Sequence, residues 1–380
     1  MDNPLTWVEV SRSSISHNIA TFKKLIGKKR ILCAAVKANA YGHGLQQCAP
    51  VILEAGADWL GVNALFEAMS LRAAGIKAPV YIMGYIPVDE LSTAVVEGFH
   101  FVVYNEETLH ALARITKKLS QPAFTHLKVE TGIYRQGAAN GQLQKILRIY
   151  KENPLVKLEG IAAHFANIED TTDHSYALFQ LNNFNKTLEQ VKRAGLKAKY
   201  VHMANTAATI LFPKTYFNMV RTGIGNYGMW PSNETYISSL REGKKIELKS
   251  ALVWKTKVAQ VKIVPSGSTI GYGCTYKTTR PSKIAVLPVG YYDGYDRGLS
   301  NNGYVLIHGK RAHIRGRVCM NMVMVDVTDI PDVQMEDEAV LLGKQEKENI
   351  TPDQMAGWLG TINYEVTTRI HEMLTRKVVK

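Results

Sequence analysis

The sequence predicts an α/β fold: a (β/α)8 TIM-like barrel followed by a mostly β C-terminal domain. Three observations carry this. Eight short apolar runs recur through the first part of the chain, and helix-spaced segments lie between most of them. After Pro231 the pattern changes to short strands separated by Gly- and Pro-containing turns.

The elements follow in order. Residues 14–26 carry Ile15, Ile19, Phe22, Leu25 and Ile26 at helical spacing. Residues 31–36 then form an apolar run that reads as a parallel strand buried on both faces. Comparable runs lie at 59–62, 80–83, 101–104, 126–129, 158–163, 200–203 and 217–220, with helical patterns such as 109–119 and 176–194 between them. Eight parallel strands with crossover helices fit a closed barrel. A doubly wound open sheet fits the same count, because strand number alone does not establish closure. Residues 231–245 are polar and read as a connector. Strands are expected beyond it at 252–264, 284–289, 304–308, 323–327 and 339–342. One late helix is expected at residues 352–359, capped by Thr351 and stopped by Gly360. The expected domains are residues 9–235 for the barrel and residues 236–380, with residues 1–8, for the β-rich part.

Composition sets the bounds. The chain has 380 residues, 46% of them hydrophobic, which is enough for two cores. No apolar run approaches the roughly 20 residues that a membrane helix needs, and residues 1–9 lack a signal-peptide apolar segment. A cytoplasmic protein without a membrane partner is expected. The four cysteines, Cys33, Cys48, Cys274 and Cys319, form no C-x-x-C pair, so neither a disulfide frame nor a metal site is expected. The net charge of +13 is spread along the chain without a nucleic-acid-binding motif. It reads as a solvated basic surface that attracts small anions rather than as a nucleic-acid footprint.

In a barrel the chemistry sits at the C-terminal ends of the strands. Lys37 ends the first run and Lys128 ends the fifth, with Arg135 in the loop beyond. His164 ends the sixth. Asn205 and Thr206 follow the seventh, and Arg221, Gly223 and Ile224 follow the eighth. A lone strand-end lysine is ordinarily a solvated charge, and a lone histidine is ordinarily a packed one. Their convergence on one rim is what points to a site.

The local motifs go further. Val36-Lys37-Ala38-Asn39-Ala40-Tyr41-Gly42-His43-Gly44 resembles the cofactor-lysine signature of the alanine racemase family. A buried lysine is pushed toward its neutral amine, which can attack an aldehyde to form a Schiff base. Lys128-Val129-Glu130-Thr131-Gly132-Ile133-Tyr134-Arg135-Gln136-Gly137 and His202-Met203-Ala204-Asn205-Thr206 are similar to further segments of that family. So are Arg221-Thr222-Gly223-Ile224-Gly225-Asn226-Tyr227-Gly228, Gly271-Tyr272-Gly273, Gly290-Tyr291-Tyr292-Asp293-Gly294-Tyr295, Arg317-Val318-Cys319-Met320-Asn321 and Ile362-Asn363-Tyr364-Glu365. The likeness runs in order through nearly the whole chain.

The resemblance implies a racemase using pyridoxal 5′-phosphate on alanine, supplying D-alanine for peptidoglycan. It implies two bases, Lys37 and Tyr272, on opposite faces of the substrate α-carbon. A phenol ionises near pH 10, so Tyr272 needs positive neighbours, and Arg221 with the His164–His202 pair are the expected ones. Phosphate would be held by Tyr41, Thr206, Tyr364 and the N–H groups near Gly223 and Ile224, with Asn205 also at the cofactor. His164 would flank the ring, and Arg221 would face its nitrogen with His202 in support. Arg135, Tyr291, Met320 and Asn321 would bound the substrate. Lys128 matches a family position that is often carbamylated to orient the arginine. Asn321 departs from the Asp that is usual there, which bears on substrate specificity. The resemblance further implies a head-to-tail homodimer in which the partner supplies Tyr272, Tyr291 and Met320. A broad-specificity or basic-amino-acid racemase is one alternative, and a non-catalytic cofactor carrier is the other.

Overall fold

The computed structural model describes residues 4–380, so residues 1–3 of the expected domain division lie outside the described residues. Two compact units form. One comprises residues 15–40 and 48–249; the other comprises residues up to Ser14, Tyr41–Gln47 and Ser250–Lys380.

The chain begins with strand β1 (Thr6–Ser11) and a helix, Arg12–Ile26, that buries Ile15, Asn18, Ile19, Phe22 and Ile26 along one face. Eight parallel strands follow: β2 (Ile31–Ala35), β3 (Trp59–Val62), β4 (Val80–Ile82), β5 (His100–Val103), β6 (Ala123–Lys128), β7 (Val156–Ala162), β8 (Tyr200–His202) and β9 (Met219–Thr222). Each overlaps one of the eight apolar runs, with β6 starting before its run and β9 extending past its run to take in Arg221. β2 pairs with both β3 and β9, so first and last strands are neighbours and the sheet curls into a barrel rather than lying open. The remaining seam, β8 against β9, is closed by other means. Arg221 N–H donates to Ala204 O at 2.9 Å. The Asn218 side chain accepts from Val201 N–H at 2.7 Å and donates to Lys199 O at 2.6 Å, standing in for ladder bonds. Inside, Cys33, Trp59, Tyr81, Val102, Tyr200 and Met219 from six different strands meet in one cluster.

Helix boundaries follow local chemistry. In Glu106–Leu119, Asn105 accepts from Thr108 N–H at 3.0 Å, Glu106 and Glu107 occupy the first turn, and Lys117 and Lys118 the last. That is the charge order the helix dipole favours. The longest helix, Ser175–Arg193, covers the barrel with Ala177, Gln180, Leu181, Phe184, Thr187 and Val191.

The second unit is built on a ten-stranded sheet. Its strands are β1, β10 (Leu252–Lys257), β11 (Gln260–Val264), β14 (Ser282–Leu287), β15 (Tyr304–Ile307), β16 (Lys310–Ile314), β17 (Val323–Asp326), β18 (Glu338–Gln345), β19 (Glu348–Ile350) and β20 (Thr375–Val379). A small hairpin, β12 (Thr269–Ile270) with β13 (Tyr276–Lys277), stands apart from it. β1 lies between β10 and β20, antiparallel to the first and parallel to the second. The late helix forms at Pro352–Leu359, with Thr351 Oγ1 accepting from Gln354 N–H at 3.0 Å and Gly360 left-handed at φ 68°. Among the described residues no helix is long and apolar enough to cross a membrane.

Candidate active site

The C-terminal ends of the barrel strands surround a cavity of about 490 Å³. Lys37, Lys128, Arg135, His164 and Arg221 all line it, with Tyr81, Met83, Tyr104 and Gln136. Four of the lining side chains are basic and none is a carboxylate, so the cavity suits an anionic ligand. Its size is that of a cofactor site.

Lys37 leaves β2 into an unusual turn. Ala38, Asn39, Ala40 and Tyr41 all take left-handed backbone angles, with φ between 52° and 54°. Four consecutive left-handed residues, none of them glycine, are costly, by about 1–2 kcal/mol each. The turn is held by Glu67, buried on the helix after β3. Its Oε1 accepts from Ala38 N–H at 2.6 Å, and its Oε2 accepts from Asn63 and Ala64 N–H at 2.7 and 3.1 Å. Sequence reading missed Glu67. It occupies the third position of a capping box, but Ala64 stands at the cap where Ser or Thr would have made the motif visible. The Lys37 amine is pushed below its ordinary value by burial first and then by Arg135 and Arg221, while Glu67 opposes the shift.

Arg135 is carried on a loop shaped by Glu130, which accepts from Gly132 and Ile133 N–H at 2.5 and 2.7 Å. Tyr176 Oη fixes the same loop by donating to Gly132 O at 2.7 Å. Lys128, at the end of β6, donates to Gln136 Oε1 at 2.9 Å. Burial, then Arg221, Arg135 and Lys37, push its amine down to about 7, with Glu130 opposing.

Arg221, buried in β9, has neutral partners. It donates to His202 Nδ1, to Ala163 O at 2.8 Å, to Met203 O at 3.3 Å and to His164 Nδ1 at 3.4 Å. Burial, and then Arg221 itself, push both His164 and His202 well below the ordinary imidazole value. This corrects the sequence-based expectation that the two histidines supply positive charge: burial and Arg221 both disfavour the charged imidazole, so the positive charge there is Arg221's. The loop bearing His164 is pinned by Gln180, a residue without a sequence signal. Gln180 donates to His164 O at 3.1 Å and accepts from Ala166 N–H at 2.9 Å.

Beyond β8, Asn205 caps the helix Thr206–Leu211, accepting from Ala208 N–H at 2.9 Å and donating to Glu169 Oε1 at 2.5 Å. Thr206 Oγ1 accepts from Gly223 N–H at 2.9 Å, which joins the hydroxyl and glycine expected to act together. Ile224 is buried beside them.

In the other unit, Tyr41 and Tyr364 have ring centroids 6.2 Å apart. Tyr291 and Met320 are brought together because Tyr291 N–H donates to Cys319 O and Tyr292 N–H to Met320 O, each at 3.0 Å. Asn321 follows directly and is exposed. Tyr272 is 74% exposed, on a turn whose flanking Gly271 and Gly273 have φ of 69° and 71°. The backbone there demands glycine on both sides, and a Cβ on Gly273 would meet the Arg317 guanidinium.

Comparison with known proteins follows this geometry. Residues 10–231 match the family model "Alanine racemase, N-terminal domain", and residues 251–378 match "Alanine racemase, C-terminal domain". An alanine racemase of Leptospira interrogans is 40% identical, covering 100% of this chain and 97% of that protein. The crystal structure of alanine racemase from Bacillus anthracis with bound L-Ala-P superposes with a TM-score of 0.93 at 35% identity, covering 100% of this chain and 96% of that one. That of Bartonella henselae with covalently bound pyridoxal phosphate does so at 0.86 and 26% identity, covering 99% and 100%.

Proposed function

This chain belongs to the alanine racemase family, and on that premise we propose that it interconverts L-alanine and D-alanine, with pyridoxal 5′-phosphate held at Lys37 and Tyr272 as the opposing base. One observation carries the reading: a lysine amine driven toward neutrality at the mouth of a barrel cavity whose charged lining is wholly cationic. That donor set fits an anionic aldehyde. The neutral amine is the nucleophile an aldehyde needs, and the cations meet phosphate and carboxylate. When bound, pyridoxal phosphate supplies an electron-withdrawing ring that acidifies the substrate α-carbon.

The chain's own groups do the rest. Lys37 Nζ takes or returns the α-proton on one face, and Tyr272 Oη does so on the other, since one rigidly placed group cannot serve both. Arg221 offers only donors to the ring nitrogen, because a guanidinium stays protonated. With that partner the ring would supply a weaker electron sink, which would favour return of the proton to the carbon it left. Tyr41, Thr206 and Tyr364 hydroxyls, with Asn205 nearby and the N–H groups of Gly223 and Ile224, hold the phosphate. His164, which lines the cavity, would flank the ring, and His202 supports Arg221. Arg135 meets the substrate carboxylate, Lys128 orients Arg135, and Tyr291, Met320 and Asn321 bound the substrate. In this reading residues 9–235 carry the cofactor. Residues 236–380 carry Tyr272 and present it to the facing copy in a head-to-tail homodimer. The enzyme works in the cytoplasm and supplies D-alanine for peptidoglycan. The match of residues 251–378 to the racemase C-terminal domain disfavours a barrel-only carrier.

The test compares wild type, Lys37→Ala and Tyr272→Phe after loading with pyridoxal phosphate. The readouts are visible absorbance and exchange of the alanine α-hydrogen in D2O from each enantiomer. Wild type should exchange both enantiomers, and Lys37→Ala should lose the lysine-bound chromophore. Tyr272→Phe should keep cofactor but lose roughly 10²–10⁴-fold in turnover. A loaded wild type that exchanges neither enantiomer ends the proposal.

A further inference from the structure

Behind Arg221 three histidines run through the barrel interior. His202 Nε2 lies 2.7 Å from His126 Nδ1, and His126 Nε2 lies 3.2 Å from His100 Nδ1. They sit on β8, β6 and β5, so the path from β6 to β8 must cross β7. β7 presents Gly160 at the crossing, where a Cβ would fall within 2.6 Å of three atoms of the His126 ring. The ladder between β6 and β7 also shifts register there: Thr125 faces Leu158 and His126 faces Gly160, so the extra residue, Glu159, lies on β7 and sets Gly160 opposite His126. Two tyrosines hold the ring: Tyr81 stacks on it at 4.6 Å and Tyr200 at 5.7 Å. Tyr81 meets His202 edge-on at 5.3 Å, and Trp59 meets His100 edge-on at 4.5 Å.

The proton order along this row follows from the donor inventory. A guanidinium has five N–H donors and no acceptor, so His202 Nδ1, facing Arg221, is unprotonated. A neutral His202 then carries its proton on Nε2 and donates to His126 Nδ1. A neutral His126 must carry its proton on Nε2 and donate to His100 Nδ1. Neutrality is favoured throughout. Burial pushes His126 and His202 well below the ordinary value, and burial with Lys199 brings His100 to about 4.

We propose that His126 and His100 are positioning residues for Arg221: with His202 they form a one-directional row of Nε2–H imidazoles that keeps an unprotonated, polarised Nδ1 facing the guanidinium. Each donated hydrogen bond makes the donating ring a better acceptor on its other side. Arg221 is a buried cation with neutral partners only, so the strength and direction of that acceptor decide where its guanidinium rests. The catalytic consequence rests on the function proposed above; the proton order does not.

The test has two arms. In the first, 15N NMR of histidine-labelled protein at pH 7, with and without pyridoxal phosphate, reads the tautomer of each ring. Resonances are assigned by single His→Asn substitutions. His100, His126 and His202 should all be neutral Nε2–H forms in both samples. An Nδ1–H tautomer or a charged ring among the three overturns the proposal, whatever the enzyme's activity. In the second arm, His126→Leu removes the acceptor for His202, whereas His126→Asn places an amide oxygen where Nδ1 stood. His126→Leu should leave His202 Nε2–H without an acceptor, shift the His202 15N resonances, and lower kcat/KM roughly tenfold or more with cofactor still bound. His126→Asn should restore both. Unchanged His202 signals in His126→Leu, or an Asn variant that behaves like Leu, also overturns it. If His126→Leu does not fold, the wild-type spectrum still decides.

Discussion

Lys128 illustrates what a cationic neighbourhood does to one side chain. With its amine brought down to about 7, about half of it is unprotonated at neutral pH, and an unprotonated amine adds to dissolved CO2. The nitrogen forms a bond to carbon, the nitrogen's proton leaves to solvent, and the product is a carbamate anion. Among Arg221, Arg135 and Lys37, the neighbours that depress its protonation, an anion is favoured where an ammonium is not. We therefore expect a carbamate signal by 13C NMR of protein exposed to labelled bicarbonate at pH 8. It should weaken as pH falls below 7 and be absent in Lys128→Arg. Absence of the signal in wild type at pH 8 would assign Lys128 a neutral-amine role through Gln136 instead.

At the scale of the element, the turn after β2 depends on one distant carboxylate. Glu67→Ala would leave the N–H groups of Ala38, Asn63 and Ala64 without their acceptor. A loss of about 1–3 kcal/mol is expected by chemical denaturation for a buried donor left unsatisfied. Cofactor capture at Lys37 should weaken with it, and normal capture by a destabilised Glu67→Ala would separate the turn from the site. The histidine row adds a pH effect. His100 has a folded value of about 4 against an ordinary 6.5. Between those values the unfolded chain binds more protons than the folded one, so stability falls as pH drops through that window. Denaturation midpoints at pH 7, 5.5 and 4.5 should decline stepwise, and His100→Gln should flatten the decline. The same elements show why some of the fold could be read and some could not. The barrel strands are apolar on both faces, so residues 31–36 or 59–62 announce themselves. β16 does not, because Lys310, Arg311 and His313 are exposed and only Ala312 and Ile314 are buried. The run 252–264 reads as one strand but breaks between β10 and β11. The turn at 38–41 contains no glycine to betray its left-handed backbone. The extra residue on β7 that sets Gly160 opposite His126 leaves no mark in sequence. Lys37, Arg135, His164 and Arg221 were legible because strand ends in a barrel share one rim. Glu67, Gln180 and His126 were not, since each acts through a contact made only after folding.

At the scale of the whole molecule, the two proposed bases lie on different units: Lys37 lines the barrel cavity, and Tyr272 stands 74% exposed on the β-rich unit. A base that must exclude water is poorly served by such exposure, which favours a partner copy covering it. In a head-to-tail homodimer each complete site draws Lys37 from one copy and Tyr272 from the other. Lys37→Ala and Tyr272→Phe would each be nearly inactive alone, because every site lacks one base. Subunit exchange between them changes that. With random pairing about half the dimers are mixed, and each mixed dimer has one site with both bases and one with neither, so activity should recover to about a quarter of wild type. Were Tyr272 to serve the cavity of its own chain, every site in a mixed dimer would still lack one base, and exchange would restore nothing. Racemisation assayed before and after exchange, with dimer formation followed by light scattering, separates the two arrangements.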